Sequence, residues 1–162
     1  IQDGGHQEKN KRAGTENVAG IVGMGKAIEI AQKDLTQYNQ KLTKLRNYYF
    51  EQVEKRIPNI KINGSKQQRL AGNANISFAN VNAEELLLKL DEKGICASAG
   101  SACSSGSSNP SHVLLALGLE KNLAYSSLRI TFGEENTKED VDFLLNSLEE
   151  IITKLRNKNK KE

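Results

Sequence analysis

The sequence has no tryptophan, one methionine, two prolines and two cysteines, and only 5% of its residues are aromatic. Two cysteines are too few for the disulfide framework of a small secreted domain. Together with the absence of a signal peptide, they predict a protein of the reducing cytoplasm. The chain also lacks an apolar run of the roughly 20 residues that cross a membrane, so we expect no membrane partner.

The composition disfavours two further classes of function. The net charge of +3 is modest, and the four tyrosines and four phenylalanines are not interleaved with basic residues, as a base-stacking nucleic-acid surface requires. No Gly-Lys-Ser/Thr phosphate loop occurs. Cys96, Cys103 and His112 do not have the spacing of zinc ligands. We therefore expect neither a nucleic-acid partner nor a metal site.

The hydrophobic pattern predicts an α+β domain that begins with a long helix. The chain has 162 residues, of which 37% are hydrophobic. This is enough to form one domain, or a domain with an extension. Three- and four-residue spacing of apolar residues predicts a helical stretch over 16–57, either one long helix, with or without a kink, or two helices in series, which Pro58 would end. The elements expected after it are strands at 60–62, 75–78, 95–97 and 126–133, and helices at 83–93, 111–117 and 137–155.

This order predicts a short sheet with helices mostly on one face. Thr15 is expected to be the N-cap of the long helix. Glycine is unfavourable inside a helix, so Gly20, Gly23 and Gly25 are expected to allow another backbone to approach closely. The basic residues 156–162 are expected to form a frayed, solvated tail.

Residues 97–110 form a stretch of small polar residues with one thiol, Cys103, in its middle. This composition predicts a mobile loop, and a thiol on a flexible tether can move to meet a reactant. A surface linker with an incidental cysteine is the structural alternative. A protease-like pair of Cys103 with His6 or His112 lacks the local signature of such nucleophiles. Cys96 lies between apolar residues and is expected to belong to the core.

Two positions carry groups that suit anions. Arg12, Gly14 and Thr15 lie just before the predicted helix, where free N–H groups and the helix dipole favour negative charge. An ordinary capped helix with a solvated basic lead-in would show the same pattern. Arg129 interrupts the apolar alternation of a strand, and arginine can bind a carboxylate through two hydrogen bonds. A salt bridge to a surface carboxylate is the alternative there.

Three segments carry a resemblance to a known family. Residues 8–17 contain an R-x-G-T sequence, 98–103 read Ser-Ala-Gly-Ser-Ala-Cys, and 127–133 read Ser-Leu-Arg-Ile-Thr-Phe-Gly. In this order they resemble segments of the NifS/IscS-type cysteine desulfurases, which are class-V aminotransferases. The resemblance extends from the first loop to near Lys154, and the Ser-rich loop is similar to that of the long-loop members. His6 stands where many of those proteins have glycine.

The resemblance implies that the chain contains the small C-terminal domain of a fold-type I pyridoxal-phosphate transferase. It also implies that the enzyme acts as a homodimer. Such enzymes convert L-cysteine to L-alanine and hold the sulfur as a persulfide for an iron–sulfur scaffold or another sulfur acceptor. On the matching positions, Cys103 would be the nucleophile and persulfide carrier. Arg129 would bind the substrate carboxylate, and Thr15 would bind the phosphate of the partner subunit's cofactor.

The same resemblance divides the chain. It implies that 1–15 is a loop of a large cofactor domain at the dimer contact, that 16–57 is an interdomain helix, and that 58–155 is the small domain with the catalytic loop, followed by the tail. The family's cofactor lysine lies in a Ser-x-His-Lys stretch, and neither histidine here is followed by lysine. The chain also starts, at Ile1, within a Gly-rich loop. We therefore expect that it is a fragment, and that this fragment by itself does not turn over cysteine.

Two other functions stay open. The chain could be a stand-alone thiol or persulfide carrier, or an interaction module, that receives sulfur from a partner protein. It could also belong to a related pyridoxal-phosphate enzyme that acts on selenocysteine or eliminates sulfur without a persulfide. An elimination of that kind would survive the replacement of Cys103 by alanine.

Overall fold

The computed structural model describes residues 2–99 and 110–158. The helices in these ranges are α1 (Gln7–Asn10), α2 (Val18–Arg56), α3 (Ala83–Asp91), α4 (His112–Ala116), α5 (Lys121–Tyr125) and α6 (Lys138–Lys158). The strands are β1 (Ile60–Ile62), β2 (Asn73–Phe78) and β3 (Ser127–Thr131). The chain divides into two compact units, Ile1–Gln37 and Tyr38–Glu162.

Helix α2 is one continuous helix of 39 residues, about 58 Å long at 1.5 Å per residue, so the predicted long helix is confirmed. Asn17 caps its start, because its Oδ1 accepts a hydrogen bond from the N–H of Gly20 at 3.0 Å. The prediction of Thr15 as the N-cap is therefore wrong. The helix ends two residues before Pro58, as expected from the restriction that proline places on the residue before it.

The glycines of α2 do not receive another backbone within the described residues. A Cβ built on Gly23 or Gly25 would have no neighbour within 4 Å, and one on Gly20 would meet the side chain of Asn17. Among the described residues, therefore, the predicted backbone contact at these positions is not found. The same half of the helix carries exposed apolar side chains, namely Val18, Ile21, Val22, Met24, Ile28, Ile30 and Leu35.

The three strands form one antiparallel sheet in the order β1-β2-β3. Successive side chains of a strand point to opposite faces, so the even-numbered residues of β2 share one face and the odd-numbered residues share the other. The even-numbered face is the core face, where Ala74, Ile76 and Phe78 are at most 1% exposed. A short sheet with helices packed against it confirms the predicted α+β class.

The core contains side chains of the sheet, of the second half of α2, and of α3 and α6. Each fully buried aliphatic or aromatic side chain contributes about 1.5–3 kcal/mol. The largest fully buried members outside the sheet are Tyr49, Val53, Leu86, Leu90, Val141, Leu145, Leu148 and Ile152. Helices α4 and α5 share a smaller cluster, made by Leu114, Leu119 and Ala124. Helix α5 lies against β2, and the sequence pattern did not predict it.

The segment 95–97 is not a strand, contrary to the prediction. Ser98, the next residue, forms an isolated antiparallel bridge with Arg129. Cys96 is exposed, whereas its two neighbours pack against the core. Side chains of an extended segment alternate in direction, so a residue between two inward-facing side chains faces outward. The prediction that Cys96 is a core residue is therefore wrong.

Helix α6 extends into the segment that was predicted to be a frayed tail. Arg156 lies in this helix, and its three guanidinium nitrogens donate to the backbone carbonyls of Ala79, Pro58 and Asn59 at 2.7–3.1 Å. These hydrogen bonds attach the end of the helix to two loops of the domain. The predicted fraying is therefore wrong as far as Lys158, and the rest of the tail lies outside the described residues.

Candidate functional site

Arg129 lies in the middle of β3, between two neighbouring segments of backbone. On one side it pairs with Asn75 of β2. On the other side its N–H donates to the carbonyl of Ser98 at 2.7 Å, and its carbonyl accepts from the N–H of Ser98 at 3.1 Å. Its side chain is half-buried and belongs to the face opposite the core. The backbone of Arg129 is thus fixed on both sides, which limits the positions open to its guanidinium group.

The face of the sheet that carries Arg129 is polar and largely buried. Asn63, which follows β1, is 2% exposed. Its Nδ2 donates to Oδ1 of Asn75 at 2.7 Å and to Oγ of Ser77 at 2.9 Å. Ser77 and Ser127 are 0% and 3% exposed. Buried polar groups cost free energy unless they are hydrogen-bonded. The bonds between Asn63 and β2 satisfy the amide nitrogen of Asn63, whereas its Oδ1 is buried without a partner among the described residues.

The bridge at Ser98 also fixes the start of the Gly/Ser-rich loop. Cys103, the predicted nucleophile, lies outside the described residues, so the structure does not place its thiol. It follows Ser98 by five residues, and covalent geometry limits the distance between their Cα atoms to about 18 Å. The loop that carries the thiol therefore begins beside the predicted carboxylate-binding arginine.

Thr15 lies in the first compact unit, exposed and three residues before α2. The preceding turn is organised by Arg12, whose Nη1 donates to the carbonyl of Gly14 at 2.9 Å and whose Nη2 forms a close ion pair with Glu16. The N–H of Gly14 donates to Oε1 of Gln7 at 3.2 Å. Arg12 is thus paired with a carboxylate in this chain, while the Thr15 hydroxyl lies at the surface.

The remaining candidate residues do not form a second site. His6 shares a hydrogen bond of 2.7 Å with Asn10, and His112 is the exposed first residue of α4. Across residues 2–99 and 110–158, no three histidine, cysteine, aspartate or glutamate side chains are grouped so as to hold a metal ion. Of the described helices, none is both long enough and apolar enough to cross a bilayer.

A cavity of about 590 Å³ lies elsewhere, between the end of α2 and α6. Two arginines line it, but both are engaged within the domain. Arg56 donates to Glu149 at 2.6 Å and to Asn146 at 2.6 Å, and Arg156 holds the loop carbonyls described above. The cavity includes none of the predicted site residues, so its size alone does not mark it as functional.

The comparison with known families identifies the family of this chain. Residues 4–144 match the family described as "Aminotransferase class-V", which is most of the chain and covers most of each compact unit. The chain belongs to the class-V aminotransferase family. The family resemblance carried by the three sequence segments is thereby confirmed.

Among class-V aminotransferases, this chain is similar to proteins named cysteine desulfurase IscS. It is 54% identical over 153 residues to the one from Dictyoglomus turgidum and 51% identical over 154 residues to the one from Methanosarcina thermophila. These alignments cover 94% and 95% of this chain, but 39% and 38% of the two relatives. The chain thus spans about two fifths of the length of the curated relatives it matches.

Two solved structures share the fold of this chain. The NifS-like protein from Rickettsia africae superposes with a TM-score of 0.79 at 32% identity, covering 93% of this chain and 39% of that protein. The cysteine desulfurase CsdA from Escherichia coli superposes with a TM-score of 0.65 at 29% identity, covering 87% of this chain and 32% of that protein. The predicted fold, a small α+β part of a NifS-type enzyme, is confirmed by these superpositions.

The polar neighbours of Arg129 on the sheet were not predicted from the sequence. Asn75 and Ser77 alternate with core residues in β2, and Asn63 follows β1. The alternation itself was visible in the sequence, but it usually marks a solvent-facing side. The residues opposite each other across the sheet follow from the register, which a single sequence did not supply.

Proposed function

We propose that this chain is part of a pyridoxal-phosphate-dependent cysteine desulfurase. The observation that carries the proposal is the coupling of Arg129 to the loop of Cys103 through the bridge at Ser98, in a chain of the class-V family. In this proposal the reaction of L-cysteine with the Cys103 thiol gives L-alanine and a Cys103 persulfide. The sulfur atom moves from substrate to enzyme, and no external oxidant or reductant is needed.

Arg129 is proposed to bind the substrate carboxylate. Guanidinium and carboxylate are matched in charge and in the spacing of two parallel hydrogen bonds. A strand with backbone partners on both sides is a rigid platform, and rigid positioning of a substrate lowers the entropic part of the barrier. The backbone of Arg129, the proposed carboxylate ligand, is therefore well fixed within the sheet.

Cys103 is proposed to be the nucleophile and the persulfide carrier. A thiol attacks as the thiolate, and a covalent intermediate separates the removal of sulfur from its delivery. In this role the sulfur on Cys103 would first react with a substrate bound by Arg129 and then pass to an acceptor protein. We propose that the acceptor is an iron–sulfur scaffold or another sulfur-accepting protein, and that the enzyme acts as a homodimer in the cytoplasm.

Among the described residues, Thr15 has a side chain that could contact pyridoxal phosphate. The exposed Thr15 hydroxyl, three residues before α2, can donate a hydrogen bond to a phosphate oxygen, and we propose that it serves the cofactor of the partner subunit. Bound pyridoxal phosphate supplies the electron sink that makes the carbon–sulfur bond of cysteine labile. No lysine follows either histidine, so we do not assign a residue of this chain to the cofactor's aldehyde.

The proposal predicts that Arg129→Ala in the complete enzyme lowers kcat/KM for L-cysteine by about tenfold to a hundredfold, since a hydrogen bond to a charged group contributes about 1.5–3 kcal/mol. Steady-state alanine production measures this effect. Lys61→Ala is the matched control, because Lys61 is an exposed cation on the same face of the sheet. Equal kinetics for Arg129→Ala and the unmodified enzyme would contradict the assignment.

A further inference from the structure

Asn75 lies directly opposite Arg129 in the register of β2 and β3. Residues directly opposite each other on antiparallel strands have Cβ atoms roughly 4.5–5.5 Å apart and share one face of the sheet. Both side chains are half-buried, so each keeps a part that a small solute can reach. A ligand that contacts the guanidinium group of Arg129 on this face therefore lies within reach of the Asn75 amide.

The amide of Asn75 is oriented by Asn63. The Nδ2 of Asn63 donates to Oδ1 of Asn75 at 2.7 Å, and Asn63 is itself held by its bond to Ser77 and by its backbone N–H, which donates to the carbonyl of Asn75 at 2.9 Å. Asn63 lies on the β1 side of β2, whereas Arg129 lies on the β3 side. An amide whose oxygen is turned towards β1 turns its nitrogen towards β3.

This orientation places two kinds of hydrogen-bond donor side by side. The guanidinium group of arginine has donors and no acceptor, and the amide nitrogen of asparagine has two donors. A ligand with several acceptor sites and negative charge complements such a set, and a carboxylate has about four lone-pair sites on two oxygens. We propose that Asn75 is a second ligand of the substrate carboxylate, with Asn63 as the residue that positions it.

The proposal rests on the function proposed above and adds a determinant of specificity. A site built from donors discriminates strongly against an analogue that lacks the acceptor, because its polar groups would then be left unpaired. Ethylamine is the analogue of L-alanine without the carboxylate. The difference between the binding of L-alanine and of ethylamine therefore isolates the contribution of the groups that contact the carboxylate.

The test is the dissociation constant of each of these two compounds, measured by calorimetric titration of the complete enzyme loaded with pyridoxal phosphate. Asn75→Ala removes the donor and is expected to weaken L-alanine binding about tenfold. Asn75→Asp keeps an oxygen that accepts from Asn63, so the packing is preserved, and its negative charge is expected to weaken L-alanine binding more than the alanine variant does. Neither variant is expected to change ethylamine binding.

Asn73→Ala is the matched control, because Asn73 lies on the same strand and face but opposite Thr131; it is expected to bind both compounds as the unmodified enzyme does. Equal L-alanine binding by the unmodified enzyme and Asn75→Asp would overturn the proposal, and so would a parallel loss of L-alanine and ethylamine binding. Failure of the unmodified enzyme to bind L-alanine would contradict the proposed function itself, which distinguishes the two failures.

Discussion

At the scale of single residues, Glu150 is a carboxylate that pairs with two lysines. Lys154 donates to its Oε1 at 2.6 Å and Lys93 donates to its Oε2 at 2.8 Å. These hydrogen bonds and charges, with Lys154 the larger contributor, lower the pKa of Glu150 from 4.5 to about 2. Glu150 remains about half exposed, so solvent weakens the energetic effect of the pairs.

This environment predicts how Glu150 responds to acid. Because its pKa is lower in the folded state, the carboxylate contributes stability above its unfolded pKa of 4.5, and that contribution is lost as the pH falls through about 2. Carbon-detected NMR of the side-chain carboxyl, titrated from neutral pH to acid, measures the midpoint. Lys154→Ala is expected to raise it. A midpoint near 4.5 in the unmodified chain would show that the lysines do not hold the carboxylate.

Residue-level predictions from the sequence failed where a neighbour decided the outcome. Thr15 and Asn17 are both good N-cap residues, and the hydrogen bond to Gly20 selects Asn17. Cys96 was placed in the core from its apolar surroundings, yet the alternation of an extended segment turns it outward. The residue types indicated which positions could cap a helix or be buried. Which residue caps the helix, and which way a side chain faces, changes with a shift of one or two positions along the chain, and composition does not give that shift.

At the scale of elements, Gly72 lies where its backbone and that of Phe132 approach each other closely. Its carbonyl accepts from the N–H of Phe132 at 2.8 Å. A Cβ at this position would collide with the carbonyl oxygen of Phe132 and would lie 3.0 Å from Cδ1 of Leu42. Glycine is therefore required here because the space is taken by backbone, which cannot move like the end of a flexible side chain.

We predict that Gly72→Ala destabilises the chain by about 1–3 kcal/mol, the usual range for added atoms in a packed interior. Urea unfolding measures the change. Gly23→Ala is the matched control, because a Cβ there has open space; it is expected to be neutral or to stabilise by up to about 1 kcal/mol through helix propensity. Equal stability of Gly72→Ala and the unmodified chain would mean that the two segments can separate without cost.

Most long elements could be predicted, since α2, α3 and α6 repeat apolar residues at helical spacing over at least two turns. Helix α5 has five residues, fewer than two turns, so no periodicity can develop. The segment 95–97 has the apolar content of a strand, but within the described residues the bridge to β3 is formed by the next residue, Ser98. Sheet membership depends on a partner strand, and a partner distant in sequence cannot be read from local composition.

At the scale of the whole molecule, the parts assigned to function are distributed over both compact units. Thr15 belongs to the first unit and Arg129 to the second, and α2 contributes residues to each. The first half of α2 carries apolar side chains such as Val22 and Met24, which are 65% and 67% exposed. The chain spans about two fifths of its relatives' length, and its expected inactivity when isolated stays a prediction.

The fate of the sulfur atom shows whether Cys103 is the sulfur carrier. The complete enzyme, loaded with pyridoxal phosphate, is incubated briefly with L-cysteine, and its peptides are analysed by mass spectrometry after thiol alkylation. Because no trypsin site separates Cys96 from Cys103, fragmentation of the peptide that carries both cysteines locates the sulfur. We expect one added sulfur on Cys103, none on Cys96, and loss of the signal in Cys103→Ala. Sulfur on Cys96 instead, or undiminished alanine production by Cys103→Ala without any protein-bound sulfur, would contradict Cys103 as the sulfur carrier.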